Sequence, residues 1–185
     1  MKEFRFHGRG GQGAVTAAQL LAVAAFNEGR YAQSFPLFGG ERRGAPVAAF
    51  TRISDEIIEI RSQIYAPDYV IVLDASLLKY GNPFSGLKPD GWAILNSQKR
   101  PLEIKRKFNI TGKICCVDAN KISMDIYGQT AIPIANISIL GALCSADGVV
   151  NLDSIIEALR EFFPPQKIEE NAQAARRAFE QTVIA

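Results

Sequence analysis

The sequence predicts an α/β fold of three layers: a mostly parallel sheet, an antiparallel hairpin extension and C-terminal helices. Three observations predict it. A short alternating stretch, Phe4 and Phe6, runs into four glycines at positions 8, 10, 11 and 13 and then into an Ala-rich apolar run, which is the pattern of a strand, a glycine turn and a helix. Continuous apolar segments at 69–74, 91–96 and 113–117 read as strands covered on both faces, as parallel sheets require. The chain after residue 136 carries only helical patterns.

Element by element, Glu3–His7 is the first strand and Gln12–Asn27 the first helix, closing near Gly29. That helix is apolar nearly all round, which predicts burial on more than one face. Tyr31–Phe35 reads as a second strand. Val47–Ile53 and Ile57–Arg61, separated by Ser54-Asp55-Glu56, read as an antiparallel hairpin. Short helical pieces near Ser76–Tyr80 and Leu102–Phe108 link the apolar strands. Asn136–Ser145 is a buried helix that stops before Asp147-Gly148. Asn151 caps a helix through Phe163, ended by Pro164-Pro165, and Gln166–Thr182 is the last amphipathic helix. Without an interdomain linker in the pattern, residues 1–185 are expected to form one domain.

Composition narrows the function. The 185 residues are 48% hydrophobic and 22% charged, with a net charge of +2, which gives no electrostatic footprint for nucleic acid. No apolar run is long enough to span a bilayer, and Met1-Lys-Glu-Phe-Arg-Phe6 lacks the apolar core of a signal peptide, so a cytoplasmic protein is expected. Cys115, Cys116 and Cys144 show no C-x-x-C spacing. They read as reduced core thiols rather than ligands of a cluster or a structural zinc.

Two loops carry the chemistry. Gly8, Gly10 and Gly13 spell G-x-G-x-x-G at a strand–helix junction, where helix N-terminal N–H groups can meet an anion or a partner. A dinucleotide site also needs an acid at the end of the second strand, and Ala32-Gln33-Ser34 supplies none. No Gly-Lys-Ser/Thr follows, so the loop is not a Walker loop. A tight connector explains Gly8 and Gly13 but leaves Arg9 and Gln12 unexplained; these side chains suit a phosphate, a carboxylate or a partner's polar loop. The second loop, Phe38-Gly-Gly-Glu-Arg-Arg-Gly-Ala-Pro46, sets Glu41, Arg42 and Arg43 beside Phe35, Leu37 and Phe38. It reads as a solvated loop or as an interface anchor. Both loops follow strands of one sheet and are expected at one edge. His7 reads as a strand-end residue with a hydrogen-bonded ring, and Asp74 as a loop-capping carboxylate. The basic run Lys99–Lys107 reads as a solvated helix face, with contact to an acidic electron carrier as the other reading.

Phe6-His-Gly-Arg-Gly-Gly-Gln-Gly-Ala14, Ala32-Gln-Ser-Phe-Pro36 and Gly40-Glu-Arg-Arg-Gly-Ala-Pro46 together resemble the gamma subunit of 2-oxoacid:ferredoxin oxidoreductases, in the pyruvate and 2-oxoisovalerate branch. Arg61-Ser-Gln-Ile-Tyr65, Pro67-Asp68 and Ile139-Leu-Gly-Ala142 extend the likeness to nearly the whole chain. Ile134-Ala-Asn-Ile-Ser138 departs from the Asn-Thr of many relatives. The resemblance implies a complex that converts a 2-oxoacid and coenzyme A (CoA) to acyl-CoA and CO2. Pyruvate is the leading substrate, with branched or aromatic 2-oxoacids such as phenylglyoxylate open. It implies thiamine diphosphate and Mg²⁺ on alpha and beta subunits, and [4Fe-4S] clusters, including those of a ferredoxin-like delta subunit, passing electrons to ferredoxin or another acceptor. This chain would bind none of these alone and would not be catalytic alone. Gly8, Arg9, Gly10, Gly11, Gln12 and Gly13 would form a loop facing CoA or a partner, and Glu41, Arg42 and Arg43 would anchor the second loop at the subunit interface. A stand-alone nucleotide-binding oxidoreductase and a purely structural assembly subunit are the alternatives.

Overall fold

The sheet is built around four parallel strands that begin where the apolar segments predict. A computed structural model describes residues 1–37 and 44–185. Its seven strands are β1 (Lys2–Arg9), β2 (Tyr31–Pro36), β3 (Pro46–Ser54), β4 (Tyr69–Val72), β5 (Trp92–Asn96), β6 (Lys113–Val117) and β7 (Val183–Ile184). Its six α-helices are α1 (Ala14–Asn27), α2 (Pro101–Lys107), α3 (Ala119–Tyr127), α4 (Asn136–Asp147), α5 (Leu152–Phe162) and α6 (Pro165–Gln181), and a 3₁₀ turn covers Ala75–Lys79. The strand order is β2-β3-β1-β4-β5-β6-β7. Pairs β1–β4, β4–β5 and β5–β6 are parallel, whereas β3 runs antiparallel to β1 and β2, and β7 to β6. Five strands therefore point one way and two the other, which is the expected mixed, mostly parallel sheet.

Alternation along the strands feeds two cores. Phe4, Phe6, Ile71, Leu73, Ile94 and Cys115 face the large core under α1, α4, α5 and α6. Val70, Val72, Ala93, Leu95, Ile114 and Cys116 face a smaller core closed by Ile104 of α2 with Phe84 and Phe108. This is the expected three-layer arrangement, with one thick and one thin helical face. Helix α4 is buried along nearly its whole length. It approaches α6 so closely that a Cβ on Gly141 would stand 2.1 Å from the Ala175 carbonyl oxygen, so only glycine fits there.

The hairpin differs from expectation. Val47–Ile53 is a strand, but Ile57–Arg61 is not; β3 pairs instead with β2 and β1. The reason is Arg52, whose side chain is almost fully buried. Its Nε donates to Glu3 Oε1 at 2.9 Å, while Nη1 and Nη2 donate to the Ile60 and Ser62 carbonyls at 3.3 and 2.7 Å. Those carbonyls satisfy a buried cation, so the 57–62 segment wraps over β3 as irregular chain. Helix α5 does begin after Asn151, but that side chain makes no capping bond; its backbone N–H donates to Glu28 Oε1 at 2.7 Å. Helix α3 and strand β7 had no expectation. Among the described residues, no helix is long and apolar enough to cross a membrane.

Candidate functional site: the glycine-turn edge

The glycine loop is set at the carboxyl end of β1, the edge where open α/β sheets place ligands. Strands β1 and β2 are not neighbours, because β3 lies between them. Both are antiparallel to β3 and so share a direction. Their ends still meet at one edge, and the backbone shows it: Gly10 N–H donates to the Ala45 carbonyl at 2.9 Å and Gly44 N–H to the Gly10 carbonyl at 3.1 Å. The return of the second loop is thus stitched to the first. Glu41, Arg42 and Arg43 themselves lie outside the described residues.

Within the first loop, Gly11 and Gly13 have φ of +96° and +78°, which disfavours a side chain at either position. A Cβ on Gly13 would also meet the Asn136 side chain at 2.5 Å. Gly13 is the N-cap of α1 with no side-chain cap, so the helix opens with unpaired donor geometry at the edge. Arg9 and Gln12, unexplained as mere connector residues, are held inside the chain. Arg9 Nε lies 3.2 Å from Asp74 Oδ2, Arg9 Nη2 donates to Ser76 Oγ at 2.9 Å, and Nη1 donates to the Gly44 carbonyl at 3.1 Å. Gln12 Oε1 accepts from the Arg9 N–H at 2.7 Å, and Gln12 Nε2 donates to Asp74 Oδ2 at 2.9 Å. Arg9 therefore ties three segments together: the glycine loop, the return at Gly44 and the turn after β4.

Asp74 is the hub, and it also caps the 3₁₀ turn by accepting from the Ser76 N–H at 2.8 Å. Burial raises its carboxyl pKa. Bonds from Ser76, Gln12 and Arg9 outweigh that and hold it below the usual carboxylate range. Sequence reasoning gave Asp74 a capping role but missed Ser76 and Asn136. The signal for Asp74 was an acid ending an apolar strand; Ser76 and Asn136 had none, since both act through contacts distant in sequence.

His7 faces a recess of about 390 Å³ beside Tyr80, Pro83 and Val47. Arg5 Nε donates to His7 Nε2 at 3.1 Å, which assigns the proton to Nδ1. Burial, then the Arg5 charge, lowers the His7 pKa to about 4. The ring is hydrogen-bonded as expected, but to a cation rather than an acid.

The geometry does not fit a dinucleotide turn. At the second glycine of the motif both backbone polar groups are already paired with residues 44–45, leaving no donor there for a pyrophosphate. Among the described residues, no group of three His, Cys, Asp or Glu side chains could hold a metal ion. Cys115 and Cys116 point to opposite faces of the sheet, a donor set that does not fit a cluster.

The profile of the pyruvate ferredoxin/flavodoxin oxidoreductase family matches residues 3–181. The chain belongs to this family. The pyruvate/ketoisovalerate oxidoreductases common subunit gamma of Thermococcus litoralis is 52% identical over 185 residues, covering 100% of this chain and 98% of that protein. The pyruvate synthase subunit PorC of Methanosarcina barkeri is 52% identical over 160 residues, 86% of this chain and 85% of its own length. The crystal structure of the pyruvate oxidoreductase subunit PORC of Thermotoga maritima superposes with a TM-score of 0.87 at 39% identity, over 100% of this chain and 98% of that one. The resemblance to gamma subunits seen in the loops thus holds over the full fold. A 2-oxoglutarate:ferredoxin oxidoreductase from Magnetococcus marinus, at 17% identity and TM-score 0.74, shares the fold alone: the match covers 97% of this chain and 30% of that one.

Proposed function

We propose that this chain is the gamma subunit of a pyruvate- or ketoisovalerate-type 2-oxoacid:ferredoxin oxidoreductase. It packs on thiamine-binding alpha and beta subunits through the glycine-turn edge and shapes access of CoA to them. Near-complete coverage by relatives named as gamma and PorC subunits, at about half identity, carries this reading. The donor sets within the chain suit it as well, since its cysteines cannot gather around one cluster. Thiamine diphosphate with Mg²⁺ supplies the decarboxylation chemistry on the partner subunits, and [4Fe-4S] clusters elsewhere in the complex, including a ferredoxin-like delta subunit, carry the electrons.

The residues here position rather than react. Arg9 and Asp74 fix the glycine loop against the turn after β4, and Gly10 fixes the return of the second loop. The glycine loop and the return at Gly44 and Ala45 then share one edge, and the open N-terminus of α1 offers donors there to a CoA phosphate or a partner carbonyl. One observation favours a second reading, a purely assembling role: Arg9 and Gln12 already use their polar atoms within the chain.

The Arg9→Ala variant, assembled in the complex, separates the two. Releasing three segments should raise the KM for CoA roughly tenfold, because small misplacements at a site act strongly on rate and binding, while native gels show intact assembly. An intact complex with unchanged CoA kinetics sinks the CoA role. A complex that no longer forms leaves only assembly.

A further inference from the structure

The charge of this chain is not spread evenly. Lys79 ends the 3₁₀ turn after β4, and Lys99, Arg100, Lys105, Arg106 and Lys107 surround or lie on α2. Along residues 79–107 these six and Lys88 stand against Asp90 and Glu103, +5 in a chain of net +2, so the remaining residues carry −3; Asp118 is the acid of a neighbouring recess that Lys99 and Arg100 also line. Among the described residues none of the six forms an ion pair within the chain. Three of them, Lys79, Lys99 and Lys107, line one recess of about 320 Å³ floored by Ile104 and Phe108, and among the described residues no acidic side chain lines it. Gathered cations without counter-ions repel one another, and they set up a field that attracts an acidic surface.

The patch has the makings of a brief encounter rather than a permanent seam. Its apolar anchors are few: Tyr80, 81% exposed, and Leu102, 51% exposed. Permanent subunit interfaces are large and apolar at their centre, whereas transient redox encounters are small and electrostatically steered. The apolar surface lies elsewhere, on the 57–65 segment with Ile57 and Tyr65 71% and 75% exposed. The patch also adjoins the glycine-turn edge. Arg9 bonds to Ser76 of the same 3₁₀ turn, and its guanidinium stands 5.7 Å from the Tyr80 ring.

We propose that the recess between the 3₁₀ turn and α2, rimmed by Lys79, Lys99 and Lys107, is a docking surface for the acidic face of the protein electron acceptor. The inference rests on the gamma-subunit reading, because only an oxidoreductase complex needs such a passing partner. Docking here holds the acceptor beside the face that meets the catalytic subunits.

The test is steady-state kinetics of the whole complex carrying Lys79→Glu, Lys99→Glu and Lys107→Glu together. It is run with ferredoxin from the same host and, separately, with methyl viologen. The expected result is a roughly tenfold or greater fall in kcat/KM for ferredoxin at low salt, with a flattened salt dependence. Rates with methyl viologen and the KM for 2-oxoacid and CoA stay unchanged. The neutral Lys→Gln triple variant falls between. Unchanged ferredoxin kinetics overturns the proposal, as does an equal loss with methyl viologen or a complex that loses subunits. A wild-type complex that oxidises no 2-oxoacid overturns the functional reading itself, and the docking proposal with it.

Discussion

Asp74 gathers donors from two loops distant in sequence, and its ionisation holds them. The Asp74→Asn variant should cost about 1–2 kcal/mol at pH 7, toward the lower end for hydrogen bonds to a charged group because the carboxylate is partly exposed to solvent. Its folded pKa is depressed, so this contribution is complete above the ordinary carboxylate pKa and is lost as pH falls through the lower folded value. Urea unfolding of both proteins should show the gap closing below about pH 4; a constant gap down to pH 3 would refute the role. His7 behaves in the opposite proton sense to a salt-bridged histidine. Its folded pKa of about 4 lies below the ordinary 6.5. Between these values the unfolded chain binds more protons than the folded one, so stability falls as pH drops through that window. The chain has one histidine, which makes the check clean: its ring NMR signals should stay those of the neutral form at pH 5.5. A midpoint near 6.5 in the folded protein would contradict the Arg5–His7 bond.

At the scale of elements, Arg52 decides what the 57–62 segment becomes. An alternating β-rich stretch would otherwise join β3 as a hairpin. A nearly dry guanidinium needs acceptors, and the Ile60 and Ser62 carbonyls provide them. The Arg52→Met variant keeps the volume but strands Glu3 and both carbonyls. It should destabilise the protein by about 3 kcal/mol, in the range for breaking a buried ionic network. Limited proteolysis should then cut within 57–64 first. A variant as stable and as resistant as the parent would show that the segment is held by packing alone.

For the whole molecule, the sheet itself keeps the thiols apart. Cys115 lies in the thick core with Cys144, and Cys116 in the thin one. Burial pushes the Cys116 and Cys144 thiols up to about 12, and Cys115 higher still. Anaerobic incubation of the isolated chain with iron and sulfide should therefore yield no visible cluster absorption, and Ellman's reagent should find almost no reactive thiol until urea is added. Stable brown colour in the isolated chain would mean that the cores open far more readily than this packing allows.

The sequence alone determined the layered α/β class, because periodicity and the glycine turn are local properties: strand and helix residues repeat at their own spacing whatever lies beyond. It also marked the loop Gly8–Gly13 and the family likeness, since that loop and the Ala32–Pro36 segment are read along the chain. Burial of Cys115 and Cys116 followed from their apolar strand. Tertiary structure decided the rest. The partner of β3, the clasp of Arg9 on Asp74, Ser76 and Gly44, and the seat of Gly13 against Asn136 join residues 13 to 123 positions apart. The sequence shows which residues can donate, accept or come close. Which of them do is settled only when the sheet order brings the ends of β1, β3 and β4 to one edge and burial there makes the Arg9, Gln12 and Asp74 side chains find partners.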